Sequence, residues 1–227
     1  MNKNASPNKP AQRAREDARA GQEFIAEVQQ KMHKIVAEFA TGKINRTQFH
    51  QMYARYQRQI MTVSQMIGES NPGQWRDAVD EGEDTMMVRK RYTAKAIGIA
   101  IYDNATRLPI ETLGEFEVDA TWIVPMLSSY QSAAMEIFRA GMRNTEMDNG
   151  QWLSFVPGRY TTLIVLFSLE PSDNQLDSIE RMHRDFEEAN RAALEGGRAD
   201  PNALAYPFLS FIRRSMEDRQ NDEDMAD

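Results

Sequence analysis

The chain predicts an α+β fold: an N-terminal antiparallel helical hairpin followed by an antiparallel sheet flanked by helices. Three observations carry this expectation. Apolar residues recur at three- and four-residue steps from Phe24 to Ile67. Residues 96–190 then read as strand, strand, helix, strand, strand, helix, the order of a small sheet with helices packed against it. Between these parts, residues 68–84 break the periodicity with Gly68, Pro72 and Gly73 and carry five acidic side chains from Asp77 to Asp84.

Each element has its own signal. Phe24, Ile25, Val28, Met32, Ile35, Val36 and Phe39 form one helical stripe. Gly42 suits the end of that helix, and Asn45 suits the cap of the next. Phe49, Met52, Tyr53, Tyr56, Ile60, Val63 and Ile67 make the second stripe, and the short link favours antiparallel packing. Residues 86–95 fit either a helix or a strand. Ala96–Tyr102 reads as a central strand and Arg107–Leu113 as its return, with Pro109 marking an edge or bulge. A helix follows from Thr121 to Gly141, with Pro125 in its first turn. Asp148-Asn149-Gly150 signals a turn. Trp152–Val156 and Thr161–Leu169 read as two strands joined at Pro157-Gly158. Ser172 with Gln175 makes a capping box for a long helix ended by Gly196-Gly197.

The domain plan that results is a disordered tail at 1–20, a helical hairpin at 21–67, an acidic linker at 68–84, an α/β sandwich at 85–216 and an acidic disordered tail at 217–227. The apolar cluster from Leu204 to Ile212 packs on an edge of the sandwich or on another subunit.

Composition narrows the function. The 227 residues carry a net charge of -7, which argues against nucleic acid as the main partner. With no cysteine there is no disulfide framework and no thiolate nucleophile. The longest strongly apolar run, Leu163–Phe167, is far short of a membrane span, and no signal-peptide pattern is present. The expectation is a cytoplasmic protein with no membrane insertion.

No reactive centre emerges, so no catalytic residue, cofactor or metal ligand is assigned. His183 and Glu187 share a helical face, and a surface salt bridge is favoured there over a metal site. Glu115, Glu117 and Asp119 alternate with Phe116 and Val118, the pattern of a solvated edge with its apolar residues turned inward. Arg89, Lys90, Arg91 and Lys95 form the densest basic patch, read as a solvated face or a contact to the acidic linker.

Residues 96–190 resemble the core of roadblock/LC7-like domains. The resemblance is carried by Ala96-Ile97-Gly98-Ile99-Ala100-Ile101-Tyr102-Asp103, the helix after Asp119, the Gly150-Gln151-Trp152-Leu153 entry and Thr162-Leu163-Ile164-Val165-Leu166. It implies a roadblock/profilin-like sandwich, with residues 85–95 supplying a preceding helix and 142–148 an additional strand. It further implies a homodimer joined through the helix at 121–141 and the strand near 142. Many such domains are scaffolds or regulators of small GTPases, and the resemblance implies no catalytic residue.

The expected function is therefore a noncatalytic protein-interaction or scaffold protein, homodimeric, with a protein partner such as a small GTPase. Its candidate contact residues are Arg46, Arg55 and Arg58 on the hairpin and Tyr206, Phe208 and Phe211 in the C-terminal cluster. The alternative is a small-molecule sensor of PAS, GAF or profilin type, with Trp122, Trp152, Tyr160 and Phe167 lining a pocket. An enzyme would need a polar cleft uniting Glu115, Glu117, Asp119 or His183 with an arginine.

Overall fold

Two long helices form because their apolar stripes meet. In the computed structural model, which describes residues 9–68, 75–80, 85–119, 121, 123–127, 144–196 and 199–207, these are α1 (Lys9–Ala40) and α2 (Arg46–Gly68). Val28, Ile35, Met52, Tyr56 and Val63 from the two stripes are buried. Gly42, at φ 67°, turns the chain between them. Asn45 then closes a capping box: its Oδ1 accepts from Gln48 N–H at 2.7 Å, and Gln48 Oε1 accepts from Asn45 N–H at 3.0 Å.

The chain divides into two compact units, Met1–Thr93 and Ala94–Asp227. This differs from the expected plan at three places. First, α1 begins at Lys9 and not near Gly21. Side-chain pairs at four-residue spacing, Gln12–Glu16 and Arg19–Glu23, support the added turns, and Asp17 pairs with Arg76 at 2.8 Å. Second, the expected linker contains a helix, α3 (Trp75–Asp80). Trp75 is buried, and its ring lies 5.3 Å from that of Phe24; one large aromatic side chain is enough to dock so short a helix. Third, residues 85–93 belong with the hairpin. They form α4 (Thr85–Arg91), with Val88 buried in the hairpin core, and the Asn45–Gln48 pair holds its end. Asn45 Nδ2 donates to Tyr92 O at 2.8 Å, and Gln48 Nε2 donates to Arg89 O at 2.8 Å.

The second unit is built on a five-stranded antiparallel sheet of β1 (Ala96–Asp103), β2 (Pro109–Gly114), β3 (Asn144–Glu146), β4 (Trp152–Pro157) and β5 (Thr161–Phe167). The strand order is β2-β1-β5-β4-β3, so Pro109 sits on an edge strand as its missing N–H requires. β1 and β5 are the central strands, and both read as unbroken apolar runs because both of their faces are covered. Ile99, Ile101, Leu163, Val165 and Phe167 pack with Ile179 and Phe186 of α6 (Asp173–Ala189), and with Leu194 of α7 (Arg191–Glu195). Ile97, Ala100, Tyr102, Ile164 and Leu166 pack on the other face with Ile123 and Leu127 of α5, whose described backbone is helical at 121 and 123–127.

Local signals set the ends of these elements. Ser172 and Gln175 form the expected capping box on α6. The long helix does not run unbroken to Gly196: Asn190 interrupts it, bonding Phe186 O and Ala205 O through Nδ2, and α7 restarts beyond. The β3–β4 turn at Asp148-Asn149-Gly150 closes with Gly150 at φ 79°.

Asn45→Ala removes the cap of α2 and the bond to α4 together. Chemical denaturation followed by helical circular dichroism should show the helical unit losing about 1–2 kcal/mol.

Candidate functional site

β4 and β5 are joined through Gly158, Arg159, Tyr160 and Thr161, with Gly158 N–H donating to Thr161 O at 2.8 Å. Two-residue hairpin loops favour turns with positive φ, because that twist matches the strands. Neither Arg159 nor Tyr160 has positive φ. The loop's amides are instead satisfied by Glu187 of α6. Its Oε2 accepts from Arg159 N–H at 2.8 Å, and its Oε1 accepts from Tyr160 N–H at 2.8 Å and Thr161 N–H at 2.7 Å. The Thr161 hydroxyl also donates to Oε1, at 2.8 Å. Charge-assisted bonds of this kind are the strong class. They require Gly158, since a Cβ there would stand 2.4 Å from Oε1.

His183, one helical turn before Glu187, completes the cluster. Its side chain is 2% exposed, and Nε2 lies 2.8 Å from Thr161 Oγ1. The single hydroxyl proton of Thr161 goes to Glu187, so Thr161 accepts from His183 and Nε2 carries the ring hydrogen. Burial lowers the His183 pKa to about 4, against the opposing pull of the Glu187 charge. The ring is therefore neutral near pH 7, and the favoured surface salt bridge is corrected to a buried, neutral imidazole bonded to Thr161 beside the Glu187 carboxylate. The sequence shows the four-residue spacing of His183 and Glu187, but nothing local reveals that a distant threonine and a loop lie between them and the sheet.

The same end of the sheet is tied to the β1–β2 turn. Asn104 N–H donates to Tyr160 O at 2.9 Å, and its Nδ2 to Gly158 O at 3.0 Å. Thr162 Oγ1 donates to Asn104 Oδ1 at 2.7 Å. Outside this network lies a shallow pocket of about 100 Å³ lined by Arg159, Tyr160, Arg184, Glu187, Glu188 and Arg191. Arg159 lies over the Tyr160 ring at 5.1 Å, the Tyr160 hydroxyl donates to Glu195 at 2.6 Å, and Arg191 pairs with Glu188. The Glu195 bond raises the Tyr160 pKa.

The other residues singled out in the sequence fall elsewhere. Arg46 and Arg58 are exposed on α2, whereas Arg55 is half-buried; a helix turns about 100° per residue, which sets Arg46 half a turn from Arg55. The three do not share one face. Tyr206 is half-buried and stacks on Phe186, ring centroids 5.7 Å apart, with its hydroxyl donating to Pro201 O at 3.1 Å. Burial and the nearby Glu111 push its pKa up to about 12. Tyr206 thus packs on its own unit's core. Phe208, Phe211 and Trp122 lie outside the described residues. Trp152 and Tyr160 pack against the apolar core in which Phe167 is buried.

Glu115, Glu117 and Asp119 are exposed while Phe116 and Val118 pack inward, as the alternation predicts. Asp119 accepts from Thr121 N–H at 2.8 Å, which lowers its pKa. These acids follow β2, whose Gly114 pairs with Gly98, whereas Thr161 pairs with Asp103 at the other end of β1. Five strand residues separate the two places by about 17 Å. In the basic patch, Arg89 pairs with Glu38 of α1 at 2.6 Å; the acidic side chains of the expected linker lie outside those described. Among the described residues, no group of three or more acidic, histidine or cysteine side chains is arranged to hold a metal, and no helix is long and apolar enough to cross a membrane.

No protein-family model matches the chain, and no curated protein matches it.

The depressed His183 pKa fixes the sign of a pH effect. The unfolded chain takes up this proton near pH 6.5, before the folded one does. The stabilisation is therefore complete above pH 6.5 and is lost as pH falls toward about 4. Urea unfolding at pH 7.5 and 4.5 should show a loss on the order of 3 kcal/mol that is absent in His183→Gln.

Proposed function

We propose that this chain is a noncatalytic interaction or scaffold protein of the cytoplasm, working as a homodimer with a protein partner such as a small GTPase. The partner class rests on the resemblance of residues 96–190 to roadblock-like domains. The observation that carries the dimer reading is the position of β3. It follows α5 in the chain and forms an edge of the sheet, and these are the two elements through which the resemblance implies association.

The register specifies what that edge offers. In an antiparallel pair, bonded and non-bonded residue pairs alternate. Met147 N–H donates to Gln151 O at 2.7 Å, so the next bonded pair is Thr145 with Leu153. The N–H and C=O groups of Asn144 and Glu146 then turn away from β4, toward the open side. Two copies meeting antiparallel about Thr145 would set each Glu146 against Asn144 of the other copy and keep the like charges apart. The sensor alternative has less support, because aliphatic and aromatic side chains fill both faces of the central strands.

Glu146→Pro removes an outward N–H without breaking a bond to β4. Sedimentation velocity over a concentration series should show a dimer for the unaltered chain and a monomer for the variant, with matching circular dichroism. A monomer for the unaltered chain, or a dimer that Glu146→Pro leaves intact, contradicts the reading.

A further inference from the structure

The pocket outside the β4–β5 turn has an unusual balance of committed and uncommitted charge. Its two carboxylates are already engaged: Glu187 by the loop amides and Thr161, and Glu188 by Arg191. Two of its three guanidiniums are not. Among the described residues, neither Arg159 nor Arg184 forms an ion pair, although both line the same pocket. Arg159 is held in place by the ring of Tyr160, and that ring is anchored by Glu195. The backbone beneath it is fixed by Glu187 and Asn104. The negative end of α6 points toward this region, but Asn190 covers its Phe186 carbonyl with both N–H at 3.1 Å and Nδ2 at 2.9 Å.

We propose that this pocket binds one phosphate-type oxyanion: a phosphate monoester on a protein side chain, or free phosphate. A dianion with three acceptor oxygens engages two guanidinium forks at once, which a single carboxylate does less well. The space of about 100 Å³ admits a small group and not an extended ligand. The inference stands apart from the dimer reading, since it rests on the β4–β5 turn and not on the β3 edge.

The test is a nuclear magnetic resonance titration of the full chain, following arginine Nε–H signals. The probes are inorganic phosphate, a phosphoserine peptide and the same peptide without phosphate. Saturable shifts at Arg159 and Arg184 with the phosphorylated probes support the site. Tighter binding of the peptide than of phosphate assigns the group to a partner side chain, and equal binding assigns it to the free anion. Arg159→Gln with Arg184→Gln should weaken binding at least about tenfold. Arg181→Gln, an exposed charge on α6 outside the pocket, should not. Both variants change exposed side chains, and an unchanged amide spectrum reports that the fold is retained. Shifts that never saturate, that the unphosphorylated peptide reproduces, or that survive the double substitution overturn the proposal.

Discussion

The carboxylate of Glu187 is the point on which one end of the sheet depends. A tight loop lacking the left-handed residues that ordinarily close it leaves its amide hydrogens to be bonded elsewhere, and buried amides without partners are costly. Glu187 supplies acceptors for three successive amides and a hydroxyl. Because α6 brings this side chain, the position of α6 over the sheet and the conformation of the loop are set together. Gly158 and His183 follow from the same constraint. The first leaves room for the carboxylate, and the second fills the buried position beneath it while remaining neutral. The arginines on the rim then stand on a fixed base.

The helical unit rests on a comparable polar device. Asn45 and Gln48 cap α2 on their inner atoms and hold the end of α4 on their outer ones. In each unit a buried polar side chain joins two elements that apolar packing alone would leave free to slide. Hydrophobic contacts are nondirectional, whereas these bonds specify one register.

Much of this fold was legible in the sequence, and the gaps have physical causes. The stripes of the hairpin, the two central strands and the Ser172–Gln175 box are local patterns, and each appears where its spacing indicates. The order of elements after α5 includes the strand expected within 142–148, as β3. What the sequence did not disclose depends on contacts between distant residues. Trp75 turns part of an apparent linker into a packed helix, and α4 joins the hairpin through Asn45. The rim pocket was unreadable for the same reason, since Arg159 and Arg184 meet only after the sheet has formed. Arg46, Arg55 and Arg58 show the converse: closeness in sequence did not give them a common face.

Native-state hydrogen exchange of the Arg159, Tyr160 and Thr161 amides tests the Glu187 constraint most directly. The account predicts that all three are protected in the unaltered chain and exchange fast in Glu187→Ala, while the amides of the central strand β5 beyond Thr162 stay protected. Fast exchange at these amides in the unaltered chain, or protection that survives the loss of the carboxylate, would show that the loop holds its conformation without Glu187.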